Sequence, residues 1–554
     1  MFLTNSVVLI LINVFLQIHF VSSECNYVQL AAQKNYVECT NVRSMQELAA
    51  EMRSNWNHLK IVNKVDSVFT NAEHHNAFLQ YIQHLDLSKV GRFHTSDYGF
   101  RDYLRLNHLN ISNTRTATLK DYWFSIGNQI EILDISWNQL TQLRRETFRT
   151  LHSLVTANFS HNEIENVEAA AFSDLKMLKH LDLRNNRLSY LNDWGELSSM
   201  ETLNLDDNLL TKLSSNAFKG LIALQTLTVS QNYINDVERN CLSGFQKLQQ
   251  INLSGNSMQT IPDHLFRAFS NIRLLEVDFS NNDISSLPGN AFKSLNYLVA
   301  LDLSRNAITS IDEYTFLGLN SLRRLSLVNN NISIVQPNTF ATLNKLDSLD
   351  LSDNSLSNFR GDMFGPSSSL PKKLRKLLLK RNNLASIQPH AFDIVSNVDF
   401  LVLTDNSIRE LREDLLLPLV KLKKLHINRN NIEALPAGLF NTTSLLQELY
   451  MDHNKLTFFP YTANAFANLA KITLEGNPWQ CACFKEMLYW SIRRGINYSP
   501  YVSNKYYNGS RPVCVATPWN VCVQDVDEST KKEMIRIYET ALSRGVTDFK
   551  IIPK

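Results

Sequence analysis

Glycine is scarce in this chain, with 16 residues among 554, about 3% against a usual ~7%. The glycine-rich loops that cradle phosphates, GxGxxG and GxxxxGK followed by Ser or Thr, are both missing. An excess of one charge is missing too, because 55 Lys and Arg face 53 Asp and Glu for a net charge of +2. These absences argue against a nucleotide-binding domain and against a protein whose overall charge attracts nucleic acid.

Long hydrophobic runs are confined to the first 23 residues. This segment contains no charged residue, and its apolar run from Val7 to Val21 is interrupted by three polar residues. The small residues that end it precede Glu24, which is typical of a secretory signal peptide. The alternative, an uncleaved signal anchor, usually has a longer run. With no second apolar stretch of ~20 residues and no lipid-anchor tail, we expect a secreted, extracellular protein without a direct membrane span.

A 24-residue period organises most of the chain, with the pattern Leu-x-x-Leu-x-Leu-x-x-Asn-x-Leu. Ile82 and Leu106 keep the spacing without Asn at position 9, and Trp56 begins one more degenerate strand. Together these make about seventeen or eighteen units. Counting the first apolar residue as position 1, the clear copies start at Ile130, Leu154, Leu178, Met200, Leu224, Leu248, Leu274, Leu298, Leu322, Leu346, Leu374, Val398, Leu422, Leu446 and Leu469.

Each unit has a readable physical pattern. Positions 1, 4, 6 and 11 are apolar, and the alternation around positions 4 to 6 predicts a short strand with one buried face. Position 9 holds Asn from Asn138 to Asn477, and a buried Asn can satisfy backbone groups of its own and adjacent coils. Position 19 is mostly Phe, from Phe148 to Phe440. Because no unit can bury its core alone, the units are expected to stack into a solenoid.

This pattern resembles the extracellular leucine-rich repeat family of the 24-residue class, over roughly residues 56–477, and the layout is most similar to secreted insect-type members. The resemblance implies an α/β solenoid, a curved horseshoe with a parallel sheet on its concave face and disulfide-bonded caps. The predicted organisation is a signal peptide (1–23), an N-terminal cap with a degenerate first strand (24–81), the solenoid (82–477), a cysteine-rich cap (478–525) and a C-terminal helix and tail (526–554).

Seven cysteines fit an oxidising compartment. Those after the last repeat resemble the family's C-terminal cap, which implies the pairs Cys481–Cys514 and Cys483–Cys522, although sequence alone permits three pairings. Cys25 and Cys39 form the natural N-terminal pair, whereas the family's N-terminal caps usually carry four cysteines. The cysteine left over, Cys241, occupies an apolar column at position 18. We interpret it as a buried core thiol, with an intermolecular disulfide as the alternative.

Position 5 of the repeat projects from the concave face and changes character along the chain. Its first twelve members, Asp86 to Asp350, are small and polar, and the next four, Leu378 to Tyr450, are not. Three glycosylation sequons fall at position 5 of the polar part, where a glycan would shield the surface, although the repeat pattern also creates sequons by chance. The predicted glycosylation sites are Asn110, Asn158, Asn252, Asn331, Asn441, Asn497 and Asn508.

Beyond residue 320 the concave face gains basic and apolar residues, the composition of a protein-binding hot spot. Alternating carboxylates such as Asp399 leave a second interpretation open, a solvated and internally paired surface. We hypothesise that residues 323–450 carry the ligand site. Its candidate residues are Arg323, Arg324, Arg375, Lys376, Leu378, Lys380, Arg381, Phe400, Val402, Lys423, Lys424, His426, Arg429 and Tyr450.

Two smaller features remain. His58, His84 and His108 all fall at position 3 of early strands, where stacked imidazoles could bind Zn²⁺ or sense acid. Without the Asn ladder their register is doubtful, and scattered surface histidines are the favoured interpretation. Near the C-terminus, Thr530 and Glu533 have capping-box spacing before an apolar helical pattern. This predicts a helix packed on the cap, or else a docking helix for a partner.

No catalytic constellation is present, since GxSxG, HExxH and a spaced Cys/His pair are all missing. We therefore expect no enzyme, no cofactor and no metal. The resemblance implies recognition of an extracellular protein or glycan ligand, in innate immunity or cell-surface signalling. From the balanced charge we expect no nucleic-acid partner. The alternative is a structural matrix or cell-adhesion component. Assembly into a homo- or hetero-oligomer stays open.

Overall fold

The computed structural model describes residues 24–30, 34–42, 48, 56–62, 67–69, 79–88, 90–95, 97–124, 129–366, 372–461, 466–498, 513–544 and 550–551. The predicted signal peptide and the sequon at Asn508 lie outside these residues. The chain forms two compact units, Met1–Leu248 and Gln249–Lys554. The domain boundaries predicted from the sequence stay predictions.

In the Met1–Leu248 unit, every described repeat contributes one strand to a sheet. The first two strands form an antiparallel hairpin, and all later neighbours pair in parallel with matching repeat positions opposite each other. The strands are Glu24–Leu30, Lys34–Thr40, His58–Val62, His84–Asp86, His108–Asn110, Ile132–Asp134, Thr156–Asn158, His180–Asp182, Thr202–Asn204 and Thr226–Thr228.

The Gln249–Lys554 unit repeats this arrangement with parallel pairs throughout. Its strands are Gln250–Asn252, Glu276–Asp278, Ala300–Asp302, Arg324–Ser326, Ser348–Asp350, Lys376–Leu378, Phe400–Val402, Lys424–His426, Glu448–Tyr450, Lys471–Thr473 and Asn497–Tyr498. In both units position 4 is buried while positions 3 and 5 project from the other side of the sheet. We call that side the strand face.

The strands span positions 3 to 5, so the sequence-based prediction of positions 4 to 6 is wrong by one residue. In many coils a side-chain hydrogen bond follows the end of the strand. Oδ1 of Asp134 accepts the backbone N–H of Ser136 at 2.9 Å, and Oδ1 of Asp302 accepts that of Ser304 at 2.8 Å. This local bond stabilises the turn after the strand, although strands that end in Leu378 or Val402 stop at the same position without it.

The Asn at position 9 joins successive coils, as the sequence predicts. In Asn330, Nδ2 donates to the carbonyl of Leu303 in the preceding coil at 3.0 Å and to Leu327 in its own coil at 3.1 Å. Its Oδ1 accepts the N–H of Ile308 at 3.1 Å. Buried backbone groups that would otherwise lack partners are thereby satisfied.

The part of each coil outside the main sheet holds short strands, single helical turns and the Phe column. Phe292, Phe316 and Phe340 are buried, with successive ring centroids 6.4 and 5.9 Å apart. The short strands are Ser67–Phe69, Phe93–Thr95, Gln142–Leu143, Asn166–Val167, Lys212–Leu213, Asp236–Val237, Ser310–Ile311, Ile334–Val335, Asn358–Phe359 and Ser386–Ile387. The helical turns are Leu79–Tyr81, Arg145–Phe148, Arg267–Asn271, Gly361–Phe364 and Asp393–Val395.

Three disulfides hold the ends of the chain. They join Cys25 to Cys39, Cys481 to Cys514, and Cys483 to Cys522. The first is the pair expected at the N-terminus, and the other two are the pairs that the resemblance implies. Cys241 is buried and carries no disulfide, and burial raises the pKa of its thiol to about 12. A thiol that stays protonated at neutral pH is unreactive, which supports the interpretation of Cys241 as a core residue.

The C-terminal cap contains helix Cys481–Arg493, strand pair Cys514–Val515 and Lys550–Ile551, and helix Glu528–Ser543. Met534, Tyr538 and Ala541 pack on Val515, so the last helix is docked on the cap. The predicted capping residue is wrong, because the helix begins earlier. Asp527 is the N-cap, and its side chain accepts the N–H groups of Ser529 and Thr530, as expected for an Asp in this role. Glu533 pairs with Arg536 instead.

Candidate ligand-binding face

The strand face of the Gln249–Lys554 unit brings most of the predicted site residues together. Position 3 aligns Lys376, Phe400 and Lys424 on three neighbouring strands. Position 5 aligns Leu378, Val402, His426 and Tyr450 on four. Arg323 and Arg324 lie apart from this group, because strand Ser348–Asp350 intervenes.

An aromatic cluster lies at the centre of this face. The ring centroids of Phe400 and His426 are 5.1 Å apart, and those of His426 and Tyr450 are 4.2 Å apart. Lys424 lies over the Phe400 ring at 6.0 Å, and Lys471 lies over the Tyr450 ring at 5.1 Å, within the range of a cation–π contact. We call these five residues the aromatic–lysine cluster.

His426 is held neutral within this cluster. Burial lowers the pKa of its imidazole to about 4, although the nearby Glu448 carboxylate acts in the opposite direction. Its Nε2 is buried and has no hydrogen-bond partner among the described residues. A buried polar atom without a partner is costly, so a ligand that reaches Nε2 would remove an existing penalty.

Five of the predicted basic residues are paired within the protein. Arg375 donates to Asp399 at 2.7 Å, and Lys424 lies 2.7 Å from Glu448. The other pairs are Arg381 with Asp353, Arg429 with Asp405 at 3.9 Å, and Arg324 with Glu276 at 3.2 Å. The interpretation of an internally paired surface is therefore right for about half of the predicted basic residues.

The remaining basic residues, Arg323, Lys376, Lys380 and Lys423, have no ion-pair partner within the described part of the chain. Lys376 stands beside Phe400 in the position 3 row. Exposed ion pairs contribute little stability, so the paired cations remain able to exchange an internal carboxylate for one from a ligand. The face is therefore apolar at its centre and basic around it.

Two predicted contact residues do not present open surface. Val402 and Tyr450 are only 7% and 6% exposed, so the expectation of exposed apolar side chains is wrong for them. Position 5 side chains of adjacent strands pack against each other, and His426 and Lys471 cover the Tyr450 ring. These two residues pack beneath the contact surface and do not form part of its exposed area.

Sequence reasoning missed Glu448 and Lys471, which belong to the same site. Glu448 binds Lys424, and Oη of Tyr450 donates to it at 3.1 Å. Extending the position 3 column two strands further would have found both residues.

The polar part of position 5 has a structural explanation. Oδ1 of Asn110, Asn158 and Asn252 each accepts the backbone N–H of the serine two residues later, at 2.9 to 3.0 Å. These sequon residues are half-buried on the strand face, whereas Asn331, Asn441 and Asn497 are exposed. Leu378 and the four position 5 residues after it carry no carboxylate or amide that could make this bond. Thr228 and Ser326 in the polar part also lack such a group, so the coil tolerates its loss, but the side chains from Leu378 to Tyr450 are in addition apolar or aromatic.

The early histidines are aligned, so the interpretation as scattered surface residues is wrong. His58, His84 and His108 are paired in register, with ring centroids 3.9 and 5.1 Å apart. Burial lowers the pKa of His108. Among the described residues, no group of three or more His, Cys, Asp or Glu is placed to hold a metal ion.

Eight segments of the chain match the family described as Leucine rich repeat, and together they cover more than half of its length. These segments are residues 104–164, 128–188, 198–258, 223–281, 271–332, 321–371, 372–427 and 420–478. The chain belongs to the leucine-rich repeat family. Each coil of the two units is one leucine-rich repeat, which confirms the solenoid and the parallel sheet expected from the sequence.

Known leucine-rich repeat proteins match parts of the chain. Podocan of Mus musculus is 35% identical over 102 residues, 18% of this chain and 16% of podocan. Lumican of Coturnix japonica is 32% identical over 111 residues, 20% of this chain and 32% of lumican. The chain thus spans at most about a third of these curated relatives. The solved structure of an LRR protein from Leptospira interrogans has a TM-score of 0.54 at 22% identity, covering 66% of this chain and 95% of that chain, which shows the fold alone.

Within the described ranges, no helix combines the length and apolar composition that a membrane crossing requires.

Proposed function

We propose that this leucine-rich repeat protein is a secreted binding protein that recognises a protein ligand through the aromatic–lysine cluster and the cations around it. The observation that carries the proposal is the change at position 5. At Leu378, Val402, His426 and Tyr450 the Asp or Asn that binds the following turn is replaced by apolar and aromatic residues, although the strands keep the same length. Such residues on a sheet surface are typical of an interface.

The charge of the face supports a protein ligand of mixed character. The neighbouring rings of Phe400 and His426 offer an apolar centre. Lys376, Lys380 and Lys423 supply positive charge around it. Because five other cations already pair with carboxylates, a uniform polyanion would have to displace several internal pairs. A protein surface with an apolar anchor and a few carboxylates fits better.

Secretion is the second part of the proposal. It is supported by the uncharged apolar segment at residues 1–23 and by three disulfides, which form and persist in oxidising compartments. The setting, innate immunity or cell-surface signalling, remains a hypothesis.

Affinity capture with matched variants tests the binding role. The glycosylated wild-type protein and the double variant Phe400→Ala with Lys424→Glu are each incubated with native extracellular fluid, and captured proteins are quantified. We expect the double variant to lose the specific partner, with affinity reduced at least tenfold, since removing a central aromatic and reversing a neighbouring charge each cost more than ~1 kcal/mol at a hot spot.

The control for that experiment is Tyr297→Ala with Lys293→Glu. Tyr297 is 47% exposed and Lys293 is exposed in the same unit, both outside the main sheet. This control should capture the partner at the wild-type level. Equal capture by all three proteins would show that the proposed face is not the binding site.

A structural role in the extracellular matrix is the second candidate, and the similarity to lumican repeats favours it. The two roles differ in where the native protein accumulates. A recognition protein should be recovered from body fluid in soluble form, whereas a structural component should remain in the insoluble fraction until denaturant is added.

A further inference from the structure

Trp137 is an outlier in the Met1–Leu248 unit. Its side chain is 61% exposed, although it is one of the largest apolar side chains of the chain. Its backbone is also left-handed, with φ of 57°, a conformation that is uncommon for bulky residues. The backbone N–H of Trp137 donates a hydrogen bond to the carbonyl of Ser160 at 3.0 Å. A strained and exposed tryptophan is a reason to look for a function.

Position 8 of the repeat shows how unusual this tryptophan is. From Asn113 to Gly476 every described residue at this position has positive φ. Most of its other members are Asn, Asp or Gly, which adopt this conformation at least cost, and the rest are polar or charged. The coil geometry therefore does not favour tryptophan here, and at 61% exposure Trp137 gains little from burial.

One face of the Trp137 indole is covered and the other is open. The His161 ring of the next coil stacks on it, with centroids 3.9 Å apart and planes inclined by 9°. The opposite face is directed to the preceding coil, where position 8 is the small, exposed Asn113. Strands lie ~4.8 Å apart, so a flat group above Asn113 would contact the indole directly.

Asn110 lies three residues before Asn113 on that preceding coil, and it begins the sequon Asn110-Ile111-Ser112. Its Oδ1 accepts the N–H of Ser112 at 2.9 Å, while Nδ2, the atom that carries an N-linked glycan, has no partner among the described residues. Three residues span at most ~10 Å, a distance that the first two sugars of a glycan cover.

We propose that an N-linked glycan on Asn110 folds back over Asn113 and stacks a pyranose ring on the open face of Trp137. In the attachment step, Nδ2 loses a proton and bonds to C1 of the first sugar, and the lipid diphosphate of the oligosaccharide donor leaves. The C–H groups on one side of a pyranose ring complement the electron-rich indole face. The glycan would shield this part of the strand face.

Residue-specific hydroxyl-radical footprinting of the secreted glycoprotein tests the proposal, with glycopeptide mass spectrometry to establish occupancy. Ser112→Ala removes the sequon and keeps Asn110 with its hydrogen bond. We expect Asn110 to be glycosylated in the wild type and Trp137 to oxidise severalfold faster in Ser112→Ala. The matched control is Ser160→Ala, which removes the Asn158 sequon on the coil whose His161 covers the other face. It should leave the oxidation of Trp137 at the wild-type rate.

A second measurement tests the same contact through the accessibility of the glycan. In Trp137→Ala, an endoglycosidase should release the Asn110 glycan severalfold faster than in the wild type, while release from Asn158 is unchanged. An unoccupied Asn110 would overturn the proposal, as would equal Trp137 oxidation in wild type and Ser112→Ala. Protection of Trp137 only after a free oligosaccharide is added would assign the ring to an external carbohydrate, and would also overturn it.

Discussion

At the scale of the residue, one side-chain hydrogen bond recurs along the polar part of the strand face. Asp or Asn at position 5 accepts the N–H of position 7 and stabilises the turn after the strand, as Asp182 does for Arg184 at 3.0 Å. In the Met1–Leu248 unit, Asp and Asn alternate on successive strands from Asp86 to Asn204. Neighbouring carboxylates are thereby kept two strands apart, which limits their repulsion. Where the position turns apolar, the surface is free to serve a ligand.

His426 gives a pH prediction at this scale. Its pKa is about 4 in the folded protein against about 6.5 in an unfolded chain. The unfolded state therefore binds more protons between these values, and stability present above pH 6.5 is lost as the pH falls towards 4. Between pH 7 and pH 5 this residue should cost about 2 kcal/mol, measured as a shift of the urea unfolding midpoint.

The variant His426→Phe separates this effect from other acid titrations. Phenylalanine keeps a ring between Phe400 and Tyr450 but does not titrate. The variant should therefore lose clearly less stability than the wild type on acidification. An identical acid response in both proteins would contradict the assignment.

At the scale of the element, each coil contains buried backbone N–H and C=O groups that need hydrogen-bond partners. Asn at position 9 supplies such partners and links each coil to the one before it. Asn354 shows this arrangement, because Nδ2 donates to Leu327 at 2.8 Å and to Leu351 at 3.0 Å while Oδ1 accepts from Ile332 at 3.0 Å. The Phe column adds packing between coils but no hydrogen bonds. The ladder therefore adds hydrogen bonds between coils to those of the parallel sheet.

Replacing one Asn of the ladder should destabilise the Gln249–Lys554 unit. Asn330→Ala leaves the buried N–H of Ile308 without a partner and removes one of the two side-chain bonds to the carbonyl of Leu303, which Asn306 still binds. We therefore expect a loss of roughly 2 kcal/mol. The control Asn320→Ala removes one exposed bond to Asn296 and should change stability by less than ~1 kcal/mol. Urea unfolding followed by circular dichroism measures both, and equal effects would contradict the role of the ladder.

At the scale of the whole molecule, the fold was predictable because a period of 24 residues fixes which side chains share a column. The Asn ladder, the Phe column and the strand register all follow from that period. The predicted N-cap of the last helix was wrong because neighbouring polar side chains compete for the same backbone N–H groups. Asp527 is a better cap than Thr530 because its carboxylate reaches two N–H groups.

The sequence predicted where the residues of the candidate site lie, but it did not predict their burial or their ion pairs. The columns place Phe400, His426 and Tyr450 on adjacent strands, but they do not reveal that Tyr450 is covered or that Arg375 is neutralised by Asp399. Those outcomes depend on side-chain conformations between neighbouring coils. Trp137 was visible in the position 8 column, whose positive φ only the backbone shows.

The most direct test of the binding face is hydrogen–deuterium exchange on the complex with the captured partner, compared with the glycosylated protein alone. We predict slower exchange in strands Lys376–Leu378, Phe400–Val402 and Lys424–His426 and in the turns that follow them. The polar strands from His84–Asp86 to Thr226–Thr228 should be unchanged. Protection confined to those polar strands, or to the side of the coils outside the main sheet, would contradict the account.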